Sequence, residues 1–142
     1  MTAPERGPAD TVRAYLDALN RGSPDEVAAC VAEDFVNEHT AALGRSVIGR
    51  RAYRDRLGEF LDAFPGLHYA IERLIAEGID VAVAYRMTGR WRPAPGAEAR
   101  PFAIRGMFRF EVREGLIAHR VDYWDSAEFQ RQVQPAESQP KR

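Results

Sequence analysis

Asp122 is the side chain in this sequence best placed by its neighbours to do chemistry. Leu116 to Asp125 has the composition of a strand, and successive side chains of a strand alternate between faces. Val121 and Tyr123 therefore point one way, while Arg120, Asp122 and Trp124 point the other. A carboxylate facing the interior of a small domain needs a reason to be there. Held by a guanidinium it stays ionised and oriented, and can act as a general base. The same pairing could also be purely structural, two charges satisfying each other within the sheet. His39 offers a second titratable group, with an ordinary pKa close to neutrality. An Asp and a His facing one apolar pocket could move a proton to and from a carbon beside a carbonyl. His39 could equally be a loop histidine packed at the pocket rim. His68 and His119 fall at a strand start or on the face opposite Asp122, and no second carboxylate stands at ligand spacing. No metal site is expected from that set.

The elements that must position these groups follow from hydrophobic spacing. Val12, Tyr15, Leu16 and Leu19 recur at helical intervals, and Asn20-Arg21-Gly22 ends that helix. Ser23-Pro24-Asp25-Glu26 reads as a capping box opening a second helix that turns Val27 and Val31 inward. Cys30 sits in that pattern as a buried thiol. Asp34 to His39 reads as a short extended segment. After Gly49 a third helix presents Tyr53, Leu57, Phe60, Leu61 and Phe64, and Pro65-Gly66 stops it. From Leu67 onward the period changes from 3.6 to 2. Strands are predicted over 67–77, 80–92, a stretch containing Phe102, Ile104, Phe108 and Phe110, and 116–125. Within 80–92, Val81, Val83, Tyr85 and Met87 share one face, and Ala82, Ala84, Arg86, Thr88 and Arg90 the other. Ser126 is positioned to cap a short helix through Val133. Helices followed by a run of strands joined by tight turns define an α+β class, with an antiparallel sheet closed by three N-terminal helices.

At 142 residues, one domain over 9–134 is the natural expectation, with 1–8 and 135–142 as flexible tails. A formal net charge of −1 provides no general attraction for nucleic acid or an anionic membrane surface. The single cysteine excludes an internal disulfide. No apolar run approaches the ~18 residues of a membrane span, and the N-terminal residues lack the apolar core of a signal peptide. A cytoplasmic location is expected.

Three segments together resemble a known superfamily. Glu33-Asp34-Phe35-Val36-Asn37-Glu38-His39 is similar to the Asp-Phe and His segment of the SnoaL-like polyketide cyclases and ester cyclases. Gly44-Arg45 to Gly49-Arg50 resembles that family's glycine-marked entry to its third helix. Asp122-Tyr123-Trp124-Asp125, with Glu128-Phe129 and Val133, resembles the closing strand and tail of limonene-1,2-epoxide hydrolase. The resemblance spans about Thr11 to Val133 and implies a cone-shaped curved sheet of the nuclear transport factor 2-like kind. It further implies that Asp122 matches one of a catalytic acid pair bridged by an arginine, and that Arg86 occupies that arginine's position. The second acid is replaced by Thr88, and the water-positioning pair by Asn37 and His39, so epoxide hydrolysis is demoted in favour of the cyclase pattern.

The expected pocket is walled by Tyr15, Phe60, Phe64, Phe102, Ile104 and Trp124, with Asn37 and Thr88 as polar lining. Ala82 and Ala84 would leave room for a ligand. Such a lining suits an apolar, ring-sized small molecule with a carbonyl or hydroxyl. Two functions remain open. One is a cofactor-independent cyclase, isomerase or hydrolase using Asp122 as acid/base, Arg86 as its orienter and His39 as proton partner. The other is a non-catalytic ligand-binding or assembly module. The apolar face of Val81, Val83, Tyr85 and Met87 predicts a homodimer through the sheet side away from the pocket.

Overall fold

The change of hydrophobic period at Pro65-Gly66 divides the molecule into a helical half and a sheet half. The computed structural model describes residues 7–41 and 43–134. Of the tails expected at 1–8 and 135–142, residues 1–6 and 135–142 lie outside the described residues, whereas Pro8 is already helical. Helix α1 runs Pro8–Arg21, α2 Pro24–Ala28, α3 Arg50–Ala63 and α4 Ser126–Val133. The strands are β1 Val31–His39, β2 Val47–Ile48, β3 His68–Glu77, β4 Asp80–Trp91, β5 Arg100–Arg113 and β6 Leu116–Trp124. They form one six-stranded sheet in the order β2-β1-β6-β5-β4-β3. Among the described residues, no helix is long and apolar enough to cross a membrane.

Local chemistry explains the boundaries. Gly22, in the left-handed region at φ 68°, ends α1, and its amide hydrogen-bonds back to the helix carbonyls. Ser23 caps α2 by accepting from the Glu26 amide, with Pro24 at the first turn. The Glu26 carboxylate does not reach back to complete the box. It pairs with Arg21 at 2.6 Å instead. Helix α2 is shorter than its pattern suggested, so Val31 opens β1 rather than continuing the helix. Cys30, half-buried, donates its thiol to the Glu26 carbonyl. Asp125, not Ser126, caps α4 by accepting from the amides of Ala127 and Glu128.

The sheet departs from a wholly antiparallel one at a single pairing, because β1 runs parallel to β6. Its other pairings are antiparallel. The larger correction concerns the faces of β4. Val81, Val83, Tyr85 and Met87 are 0, 0, 1 and 7% exposed and form the inner face, under the helices. Arg86 is exposed, and Ala82, Ala84, Thr88 and Arg90 are half-buried or exposed, on the outer side. Alternation defines two faces but not which is covered. Burying two valines, a tyrosine and a methionine gains far more than burying two alanine methyls, at about 25 cal/mol per Å². The apolar face that suggested a back-to-back dimer is therefore core. The exposed outer side carries Met107 and Tyr123 among Arg105 and Arg109.

Helix α1 is clamped to the edge strand by Asn20. Its side-chain carbonyl accepts from the Tyr69 amide at 2.8 Å, and its amide donates to the Tyr69 carbonyl at 3.0 Å. One side chain thus satisfies both backbone groups of an edge residue. Replacing Asn20 by alanine should lower unfolding stability by about 1–3 kcal/mol, because two part-buried polar groups lose their partner. Urea denaturation with an unchanged m-value checks this, and a loss below about 0.5 kcal/mol would show that the clamp carries no weight.

Candidate active site

The parallel pairing of β1 with β6 builds the site. It sets Asn37 beside Arg120 and His39 beside Asp122 as register partners, all four side chains on the inner face. Arg120 Nε donates to Asn37 Oδ1 at 2.8 Å, and one terminal nitrogen donates to the Tyr15 hydroxyl at 3.1 Å. Tyr15 in turn shares a short hydrogen bond with Tyr53 of α3. The other terminal nitrogen of Arg120 lies 3.4 Å from His39 Nε2. The guanidinium also sits 4.8 Å from the ring centre of Phe108. Hydrogen bonds and an aromatic face thus accommodate a buried cation that would otherwise be costly.

Asp122 is 6% exposed. Its Oδ1 accepts from the Tyr85 hydroxyl at 2.7 Å, and its Oδ2 lies 3.6 Å from His39 Nδ1. Tyr85 belongs to β4, two strands away, and its ring crosses β5 at Gly106, its register partner. A Cβ at position 106 would overlap the Tyr85 hydroxyl and lie 2.5 Å from the ring carbon bearing it. Glycine at this position is therefore what lets the phenol reach Asp122. Trp124, next along the inner face of β6, donates its indole N–H to His39 Nδ1 at 3.3 Å.

These groups stand at the wall of a cavity of about 850 Å³ between α3, α4 and the sheet. Asn37, His39, Phe60, Phe64, Ile104, Asp122 and Trp124 line it as expected. Tyr15 is fully buried behind Arg120, and Phe102 lies behind Phe64 and Phe129, so neither forms the wall. Thr88 and Arg86 lie on the outer side of the sheet, because the inner face of β4 is the odd-numbered one. Arg86 is also two strands from Asp122, with β5 between them, and cannot orient it. Its expected role divides between two other residues. Arg120 supplies the buried cation and Tyr85 the hydrogen bond. Arg120 had a visible signal, since it shares a face with Asp122. The signal for Tyr85 was subtler: Gly106 is the one gap in the inward series Phe102, Ile104, Phe108, Phe110. Among the described residues, no three His, Cys, Asp or Glu side chains converge as metal ligands would.

Electrostatics distinguishes the two titratable groups. Burial raises the Asp122 carboxyl from its ordinary value, and the Arg120 charge and Tyr85 hydrogen bond only partly offset it. Burial, then the positive field of Arg120 and Arg56, pushes His39 down to about 3. His39 is a neutral imidazole at working pH. Its Nε2 faces the Arg120 guanidinium, and its Nδ1 accepts from the Trp124 indole N–H.

Residues 12–120 match the profile of the SnoaL-like domain. The chain belongs to the SnoaL-like family. A search of curated proteins finds no significant match. A candidate polyketide cyclase from Xanthomonas campestris pv. campestris is 27% identical, with a TM-score of 0.78 over 89% of this chain and 96% of that one. A Catenulispora acidiphila protein with a ketosteroid isomerase-like fold, solved with trimethylamine, is 22% identical, with a TM-score of 0.77 over 98% and 100% of the two chains. A nuclear transport factor 2-like protein from Cytophaga hutchinsonii is 17% identical, with a TM-score of 0.69 over 90% and 98%. The SnoaL-like domain thus has the nuclear transport factor 2-like fold. Its match ends at Arg120, two residues before Asp122, so the acid's role rests on geometry alone.

Two expectations follow. Gly106→Ala should destabilise the SnoaL-like domain by about 1–3 kcal/mol through overpacking, and most of that loss should vanish in a Tyr85→Leu background. Additive losses in the double-mutant cycle would show that the phenol is not what Gly106 accommodates. His39 bears on acid stability. A pKa lowered from 6.5 to about 3 contributes stability above the unfolded value that is lost as pH falls through that window. The raised Asp122 works oppositely, stabilising below its unfolded value of about 4 and losing that contribution as pH rises. Thermal unfolding temperature between pH 7 and pH 4 should therefore fall less in a His39→Gln variant than in the parent. An identical acid limb would show that His39 is not held neutral.

Proposed function

We propose that the domain is an enzyme that moves a proton on a small apolar substrate, a cyclase or isomerase of polyketide- or terpenoid-like carbonyl compounds. The observation that carries this reading is one arrangement: a buried carboxyl at the wall of an 850 Å³ apolar cavity, hydrogen-bonded on one oxygen and approachable at the other. A carboxyl whose pKa is raised by burial is a stronger base when ionised than an exposed one, which suits abstraction of a proton beside a carbonyl. Tyr85 holds Oδ1, leaving Oδ2 to meet the substrate. Asp122 takes the proton from carbon, the C–H electron pair moves into the enolate, and the carboxylic acid returns the proton to a second position. His39, neutral, serves as a positioning residue rather than as an imidazolium acid. The candidate polyketide cyclase among the structural neighbours is consistent with this class.

Proton exchange at carbon tests the reading without the natural substrate. In D2O, NMR should show the domain accelerating deuterium uptake beside the carbonyl of apolar cyclic ketones and 1,3-diketones. Asp122→Asn should lower that rate by about 10²–10⁴-fold. Tyr85→Phe should shift the pH limb of the reaction upward, because the carboxylate loses the hydrogen bond that favours its ionised form. If the parent exchanges no protons, and the Asp122→Asn variant binds such compounds as well as the parent does, the domain is a ligand-binding module instead.

A further inference from the structure

Three arginines line the cavity, and they differ in how their charge is met. Arg120, at depth, donates to Asn37 and Tyr15. Arg45, from the segment between β1 and β2, and Arg56, from α3, have no such acceptors. Neither side chain forms a hydrogen bond or ion pair with any described residue. Glu59 also lines the cavity, one helical turn from Arg56, yet does not pair with it. Deeper in, Arg120 and Asp122 offset one another. The mouth is left with two guanidinium groups against one carboxylate.

Arg56 is half-buried, so its charge is only partly screened. Its field reaches inward as far as His39, helping to hold that ring neutral. Behind it the wall is apolar, with Phe64, Met87, Trp91, Ile104 and Phe129. A cavity apolar at depth and cationic at its mouth complements an amphipathic anion.

We propose that the ligand of this cavity is such a molecule: a ring-sized apolar body carrying a carboxylate, bound by Arg45 and Arg56 at the mouth. This rests on the small-molecule reading above and names its substrate class. The guanidinium fork suits a carboxylate better than a neutral carbonyl, because both of its N–H bonds can be charge-assisted. The reacting carbon then lies inward of the carboxylate, toward Asp122.

The test uses 2-naphthoate and its neutral isostere 2-naphthamide as probes, titrated calorimetrically into the full chain. Naphthoate should bind about 10-fold more tightly than the amide, a gap that narrows as salt is raised. Arg56→Gln should erase most of the gap, and Arg45→Gln part of it, while naphthamide affinity stays put. Asp122→Asn, which removes a carboxylate from the cavity wall, should not weaken naphthoate binding, which separates this proposal from the catalytic one. Equal affinities in the parent protein would overturn it, as would failure of naphthoate to bind at millimolar concentration. A preference that survives both arginine substitutions would also overturn it, placing the anion elsewhere. Loss of deuterium exchange in Asp122→Asn with no acid–amide preference would leave the catalytic reading standing and sink this one.

Discussion

The buried guanidinium of Arg120 is the constraint around which the inner face is arranged. A cation at 5% exposure would be strongly destabilising without partners, and this one reaches three elements besides its own. Asn37 and His39 come from β1, Tyr15 from α1, and Tyr53, through Tyr15, from α3. The parallel β1–β6 pairing is what makes this geometry available, because it sets Asn37 beside Arg120 and His39 beside Asp122 in register. Slipping that pairing by one residue would turn Asn37 and His39 to the outer face, leaving the guanidinium with a single hydrogen-bond partner. The register of one strand pair is thus tied to the satisfaction of one charge.

Local signals were legible in the sequence, and non-local ones were not. Gly22, Gly49 and Pro65-Gly66 mark the helix ends because they act through backbone conformation, which a short window of residues reveals. The inner face of β5 was legible for the same reason, since Phe102, Ile104, Phe108 and Phe110 are unambiguous. The faces of β4 were assigned in reverse. Small residues on one face suggest room for a ligand, but here they mark the side that no helix covers. That inversion moved Arg86 into the site and Tyr85 out of it. The parallel partner of β1 depends on contacts some 80 residues apart, and no local pattern encodes it.

The same reversal gives the acid a different environment from the one expected. An Asp beside an arginine one strand away would have been held ionised by a direct pair. The observed Asp122 lies near Arg120 but accepts its hydrogen bond from Tyr85, so burial dominates and its carboxyl titrates high. A direct pair would have made a firm structural acid and a poor base. The phenol orients the carboxylate without supplying a full opposite charge, so the proton affinity that burial confers is largely kept.

Charge balance inside the site then fixes the division of labour. Arg120 is permanently positive. With Asp122 ionised and His39 neutral, the buried set carries no net charge, the arrangement a low-dielectric interior tolerates best. Protonating His39 would add a second cation within reach of the first, which reinforces the burial that pushes the ring down to about 3. Protonating Asp122 leaves one uncompensated cation that already has three hydrogen-bonding neighbours. Of the two titratable groups, only Asp122 can change charge without stacking like charges. The pair therefore behaves as one titrating acid with a fixed neutral companion, and a proton removed from a substrate has a single place to go.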